Sequence, residues 1–122
     1  MTARSLLTII SGGSYSQREE AVATALALKP VTETVAVILE GLPEGNHSLQ
    51  ADALVQLHRI APGCMCCIGN LVMRVTLNRI LRKPPSRLYL CLASIEHLEK
   101  IILFLQQDPY NQLLDPGQNI YL

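Results

Sequence analysis

Short, uninterrupted apolar runs alternate along the chain with stretches in which apolar residues return every three or four positions. Residues 6–10 form the first run and end at Ser11-Gly12-Gly13, the pattern of a buried strand followed by a tight turn. Residues 17–28 place Ala21, Val22, Ala25, Leu26 and Leu28 at helical spacing. Ser16 and Glu19 have the separation of a capping box, and Pro30 stops that helix. Residues 35–39 read as a second strand, 41–46 as a loop, 48–54 as a short helix and 56–60 as a third, shorter strand before Pro62-Gly63. A helix over 69–82 carries Leu71, Val72, Val75 and Ile80, gathers Arg79, Arg82 and Lys83 at its electronegative end and stops at Pro84-Pro85. Residues 88–92 are a further strand. Ser94 then opens a helix with Ile95, Leu98, Ile101, Ile102 and Leu105 on one face, and 119–122 begin a last strand.

The runs over 35–39 and 88–92 are apolar throughout and 6–10 nearly so, with no alternation. Burial on both faces requires this, as in a parallel sheet covered by helices on each side. The pattern predicts an α/β chain, a three-layer domain with a mainly parallel sheet, occupying residues 1–122 as one unit. No internal repeat, low-complexity segment or linker interrupts it.

Composition adds three constraints. The 122 residues suffice for one core, and 49% of them are apolar against 16% charged, so part of the apolar surface is expected to be covered by another chain. A sheet that ends at 119–122 leaves an edge strand, and a homodimer through that edge is the expected partner arrangement. The other reading is an edge covered by the segments near Pro109 and Pro116. A formal net charge of zero, without a basic amphipathic stretch, argues against nucleic acid or a membrane surface as partner. The apolar runs are too short to span a bilayer, and the N-terminus lacks a signal-peptide pattern, so a cytoplasmic location is the default.

Of four cysteines, three crowd into Cys64-Met65-Cys66-Cys67 and Cys91 stands apart. Such crowding does not suit a disulfide framework. Thiolates at Cys64 and Cys66 can grip one soft ion, and Cys67 adjoins a predicted helix N-terminus, which favours its thiolate. Zinc, cobalt, nickel or copper(I) suits such ligands. The other readings are buried structural thiols and redox chemistry. Cys91, His58 and His47 are further candidate ligands, while His97 fits a solvated helix position.

A strand, a glycine turn and a helix is also the setting of a phosphate-binding loop, G-x-x-x-x-G-K-[ST]. The same register here reads Gly12-Gly13-Ser14-Tyr15-Ser16-Gln17-Arg18-Glu19. Together with Gly63-Cys64-Met65-Cys66-Cys67, it makes the chain resemble the CobW-type GTPases, P-loop metallochaperones marked by a G-C-x-C-C motif between a strand and a helix. The resemblance continues through residues 87–109 and 113–122. It covers nearly the whole chain but only the first part of a complete family member, so the fold it implies is a truncated P-loop NTPase domain. In the family register Gln17 replaces a glycine, Arg18 the lysine, Glu19 the magnesium-binding hydroxyl and Cys91 an acidic residue. Gly12, Gly13 and Arg18 are what remains of a nucleotide site. The resemblance implies Glu40 as a fourth ligand beside Cys64, Cys66 and Cys67.

The function expected from these residues is non-catalytic binding of zinc, cobalt or nickel in metal trafficking or sensing, with a metalloprotein client or a full-length relative as partner. One alternative is a metallochaperone that still binds or hydrolyses GTP through an atypical loop. The other is a pseudo-GTPase that serves only as an interaction module. In the first reading the glycine loop is a self-capped turn that needs no anion, with Glu19 folded back to the backbone of Ser16.

Overall fold

β2 (Val35–Glu40) and β4 (Arg87–Leu92) are buried at every position, as an apolar strand inside a covered parallel sheet must be. The computed structural model describes residues 4–43, 45, 48–61, 71–93, 95, 96 and 98–122. Around these two strands lie β1 (Ser5–Ser11), β3 (Val55–Ile60) and β5 (Leu114–Tyr121), with helices α1 (Tyr15–Leu28), α2 (Leu71–Leu81), α3 (Leu98–Leu105) and the single-turn α4 (Tyr110–Leu113). All pairings are parallel, in the order β3-β2-β4-β1-β5.

Strand parity sorts the side chains into two cores. Ile10, Val35, Val37, Leu39, Val55, Tyr89 and Cys91 pack with Tyr15 and Val22 of α1. Leu7, Ile9, Ala36, Ile38, Ile60, Leu88, Leu90 and Leu92 pack with α2, α3 and α4 on the other face. The molecule is therefore a three-layer α/β fold, as the continuous apolar runs predict. Connections leaving β1 run toward β2, and those leaving β4 run toward β5. The chain order reverses between these neighbours, and the crevice at such a reversal, beyond the carboxyl ends of the strands, is where open parallel sheets place ligands.

Four local expectations are corrected. Residues 48–54 form no helix; Asp52 accepts from the amides of Leu54 and Val55 and turns the chain into β3. α1 starts at Tyr15, and its cap is Ser14 with Gln17 rather than Ser16 with Glu19. On α2 the buried stripe is Met73, Leu77, Ile80 and Leu81, so Leu71, Val72 and Val75 are left exposed. The spacing of 4 and 3–4 faces the sheet, whereas residues 71, 72 and 75 lie on the far side of the cylinder. β5 begins at Leu114, ahead of the turn-like Pro116-Gly117, because pairing with β1 resumes past a register shift between Leu7 and Ile9.

β5 is the sheet edge beside β1. It carries Asp115, Pro116 and that irregularity, features that blunt pairing with another strand. Among the described residues no helix is long and apolar enough to cross a membrane. Leu90→Ala, in the central strand where Leu90 is fully buried, is expected to lower stability by about 2–5 kcal/mol. Urea titration checks this, and the exposed Leu103→Ala is expected to be near neutral in the same experiment.

Candidate functional site

The carboxyl rim between β1 and β4 is closed by Ser11-Gly12-Gly13-Ser14. Gly12 N donates to Leu92 O at 3.2 Å, which ties the two strands together at the reversal point. Gly12 and Gly13 both have positive φ, 82° and 61°, and so turn the chain from strand to helix in three residues. Ser14 Oγ accepts from Gln17 N at 3.1 Å, and Gln17 Oε1 accepts from Ser14 N at 2.8 Å. This is a complete capping box; the helix terminus is satisfied by the chain itself.

Arg18 points back under the loop and is 3% exposed. Its Nη1 donates to Gly12 O at 2.9 Å and to Gly13 O at 2.8 Å, and its Nη2 donates to Glu40 O at 2.9 Å. A phosphate cradle presents N–H groups inward. Here backbone carbonyls converge on a cation instead. Gly41 completes the fit: its φ is 142°, and a Cβ there would lie 2.6 Å from Arg18 Nη2 and 2.8 Å from the Tyr15 ring.

Glu19, fully buried, does not return to its own helix terminus. Its carboxylate pairs with the Arg59 guanidinium of β3, Oε1 to Nη1 and Oε2 to Nη2, each at 3.0 Å. Glu19 Oε2 also accepts from Leu49 N at 2.8 Å. Arg59 further donates to Tyr15 Oη at 2.7 Å and to Leu49 O at 3.3 Å. The hydrogen bond to Glu19 holds the guanidinium above its ordinary pKa against the opposing cost of burial, with smaller support from Tyr15. Glu19 is fully buried while Arg59 keeps partial contact with solvent, and the bidentate pairing offsets the cost of taking the carboxylate out of water.

Glu40 ends β2 and is 5% exposed. It is the register partner of Ile60, so it lies on the α2 face with Ala36 and Ile38. Its Oε1 accepts from Ala93 N at 2.9 Å. Cys64, Cys66 and Cys67 lie outside the described residues, as do His47 and His97. In sequence the cysteines fall between Ile60, beside Glu40, and Leu71, the first residue of α2.

Cys91 points the other way. It is fully buried in the α1-side core, where desolvation pushes its thiol up to about 12, only partly opposed by the nearby Arg18. A thiol so placed is a small apolar side chain, not a ligand facing Glu40. His58 shares the Glu40 face, and burial, with a smaller contribution from the Arg79 charge, lowers its pKa. Among the described residues no three His, Cys, Asp or Glu side chains cluster in a way that could hold a metal ion. A cavity of about 230 Å³ lies away from this rim, between β1, β5 and α3.

Arg59 is the residue that sequence reasoning missed. Val55, Leu57 and Arg59 share one face of β3, and an arginine continuing a buried apolar row signals an acidic partner in the facing helix.

No family model and no solved structure matches the chain. The chain is similar to Zinc chaperone YeiR of Escherichia coli (strain K12), with 32% identity over 110 residues; the match covers 88% of this chain and 34% of that protein. The chain thus spans about a third of the length of the curated relative it matches.

Two measurements probe this geometry. Arg59→Ala strands the buried Glu19 carboxylate and is expected to cost about 3 kcal/mol in denaturant unfolding. Arg4→Ala, which breaks the exposed pair with Asp115, is expected to cost under about 1 kcal/mol. With iodoacetamide under native conditions, peptide mass mapping is expected to find Cys91 unmodified, and modified once the chain is unfolded.

Proposed function

We propose that the chain takes part in metal trafficking, that it holds zinc as cargo through Cys64, Cys66, Cys67 and Glu40, and that it does so without nucleotide chemistry. The observation that carries the second half is the position of Arg18. A guanidinium bonded to three backbone carbonyls occupies the space beneath the loop, and those carbonyls repel an incoming polyphosphate. Gln17 folds over the helix N-terminus, where an anion would have to meet free amides. Glu19, at the position of the magnesium-binding hydroxyl in the family register, is committed to Arg59. The loop is a degenerate phosphate loop that is stable while empty.

The first half draws on the likeness to a zinc chaperone, which supports the CobW-type resemblance. It draws also on donor chemistry. Three thiols and one carboxylate form a set that suits a tetrahedral zinc site better than a hard oxygen-seeking cation. Glu40 offers that carboxylate from the end of a rigid strand, on the face that α2 covers. A client protein that receives the metal is the partner this reading requires.

Zinc titration of untagged, reduced protein against a chromophoric chelator is expected to show one site of submicromolar affinity. Cys64→Ser with Cys66→Ser is expected to abolish it, and Glu40→Gln to weaken it by roughly tenfold or more. Failure to take up zinc, cobalt or nickel sinks the proposal. Calorimetry with GTP and magnesium is expected to give no binding heat. GTP turnover that disappears in Arg18→Ala would instead favour an atypical GTPase, and a specific protein partner indifferent to the cysteine substitutions would favour an interaction module.

A further inference from the structure

Glu40 is engaged on two sides. Its backbone carbonyl accepts from Arg18, and its carboxylate accepts from the amide of Ala93, the first residue after β4. Ala93 opens the turn that leads to α3. That turn also carries Ile95, 60% exposed, whose Cγ2 stands 3.5 Å from where a Cβ on Gly12 would be. One carboxylate thus joins the β2 end to the β4–α3 turn and, through that turn, to an exposed apolar side chain beside the glycine loop.

A carboxylate has two oxygens and about four lone-pair sites. Accepting from Ala93 N therefore does not prevent Glu40 from ligating a cation as well. Carboxylates that bind metals are held in position by hydrogen-bond donors outside the coordination shell. We infer that the Ala93 backbone amide positions Glu40 toward the cargo, and that cargo binding in turn fixes the β4–α3 turn through this hydrogen bond. This rests on the reading above that Glu40 is a ligand.

Linkage makes the coupling reciprocal. Whatever the metal does to hold the turn, displacement of the turn does to loosen the metal. Displacing Ala93 from Glu40 therefore weakens one of the four proposed ligands without touching a thiol.

The test is amide hydrogen exchange at Ala93 with and without zinc, read by NMR, on the wild type and on Glu40→Gln. Zinc is expected to slow Ala93 exchange in the wild type by about tenfold or more. In Glu40→Gln the amide oxygen still accepts from Ala93 N, but the charged ligand is gone, so zinc held by the thiols leaves Ala93 exchange unchanged. Ala93→Pro removes the donor and is expected to weaken zinc binding by roughly 10–100-fold with the thiols intact. Zinc binding in the wild type with Ala93 exchange unchanged or faster overturns the coupling and leaves the metal-trafficking reading standing. A wild type that binds no zinc overturns both. The exchange measurement decides the matter even where Ala93→Pro fails to fold.

Discussion

The carboxyl rim of this fold is organised around one buried cation. Arg18 sits where the sheet reverses its chain order, and its guanidinium draws in carbonyls from the glycine turn and from the end of β2. A buried guanidinium with too few acceptors would carry a large desolvation penalty. The turn geometry, the absence of a Cβ at Gly41 and the placement of Tyr15 all follow from the room and the acceptors this group requires. Glu40 is held in place at its backbone by the same cation, which is why its carboxylate is aimed with some rigidity at the β4–α3 turn.

A second charge pair extends this arrangement toward β3. Glu19 leaves α1 one residue after Arg18 and points to Arg59, so two successive residues of one helix turn bind opposite partners in different strands. The amide and carbonyl of Leu49 join the same network, which fixes the segment leading into β3 although that segment has no regular structure of its own. Helix α1 is thus anchored by polar contacts at its start and by Tyr15 and Val22 against the sheet.

The layers of the fold were legible in the sequence because two-sided burial leaves an unmistakable mark: the β2 and β4 runs contain hardly a polar residue. The edges were less legible. Pro116-Gly117 reads as a turn, yet it lies within β5, since an edge strand can give up ladder bonds on its open side. On α2 the count of apolar residues misled, because Leu71, Val72 and Val75 are apolar and outward. At the site, the departures of Gln17, Arg18 and Glu19 from the phosphate-loop pattern were readable in the sequence, but their hydrogen-bond partners were not. Ser14 and Ser16 are equally good caps by type, and only the backbone turn at Gly12-Gly13 selects Ser14. Glu19 finds Arg59 forty residues away, a contact that no local spacing encodes.

The Glu19–Arg59 pair also governs which sequences are reachable from this one. Replacing Glu19 with a small hydroxyl residue leaves Arg59 partly buried without its bidentate acceptor. Replacing Arg59 first leaves a carboxylate in the core. Stranding the Glu19 carboxylate costs several kcal/mol in a fold whose whole margin is of order 5–15 kcal/mol, and losing the carboxylate costs less because Arg59 reaches solvent. Substitutions at positions 19 and 59 are therefore coupled: a carboxylate can leave the start of α1 without loss only together with the guanidinium that β3 presents to it.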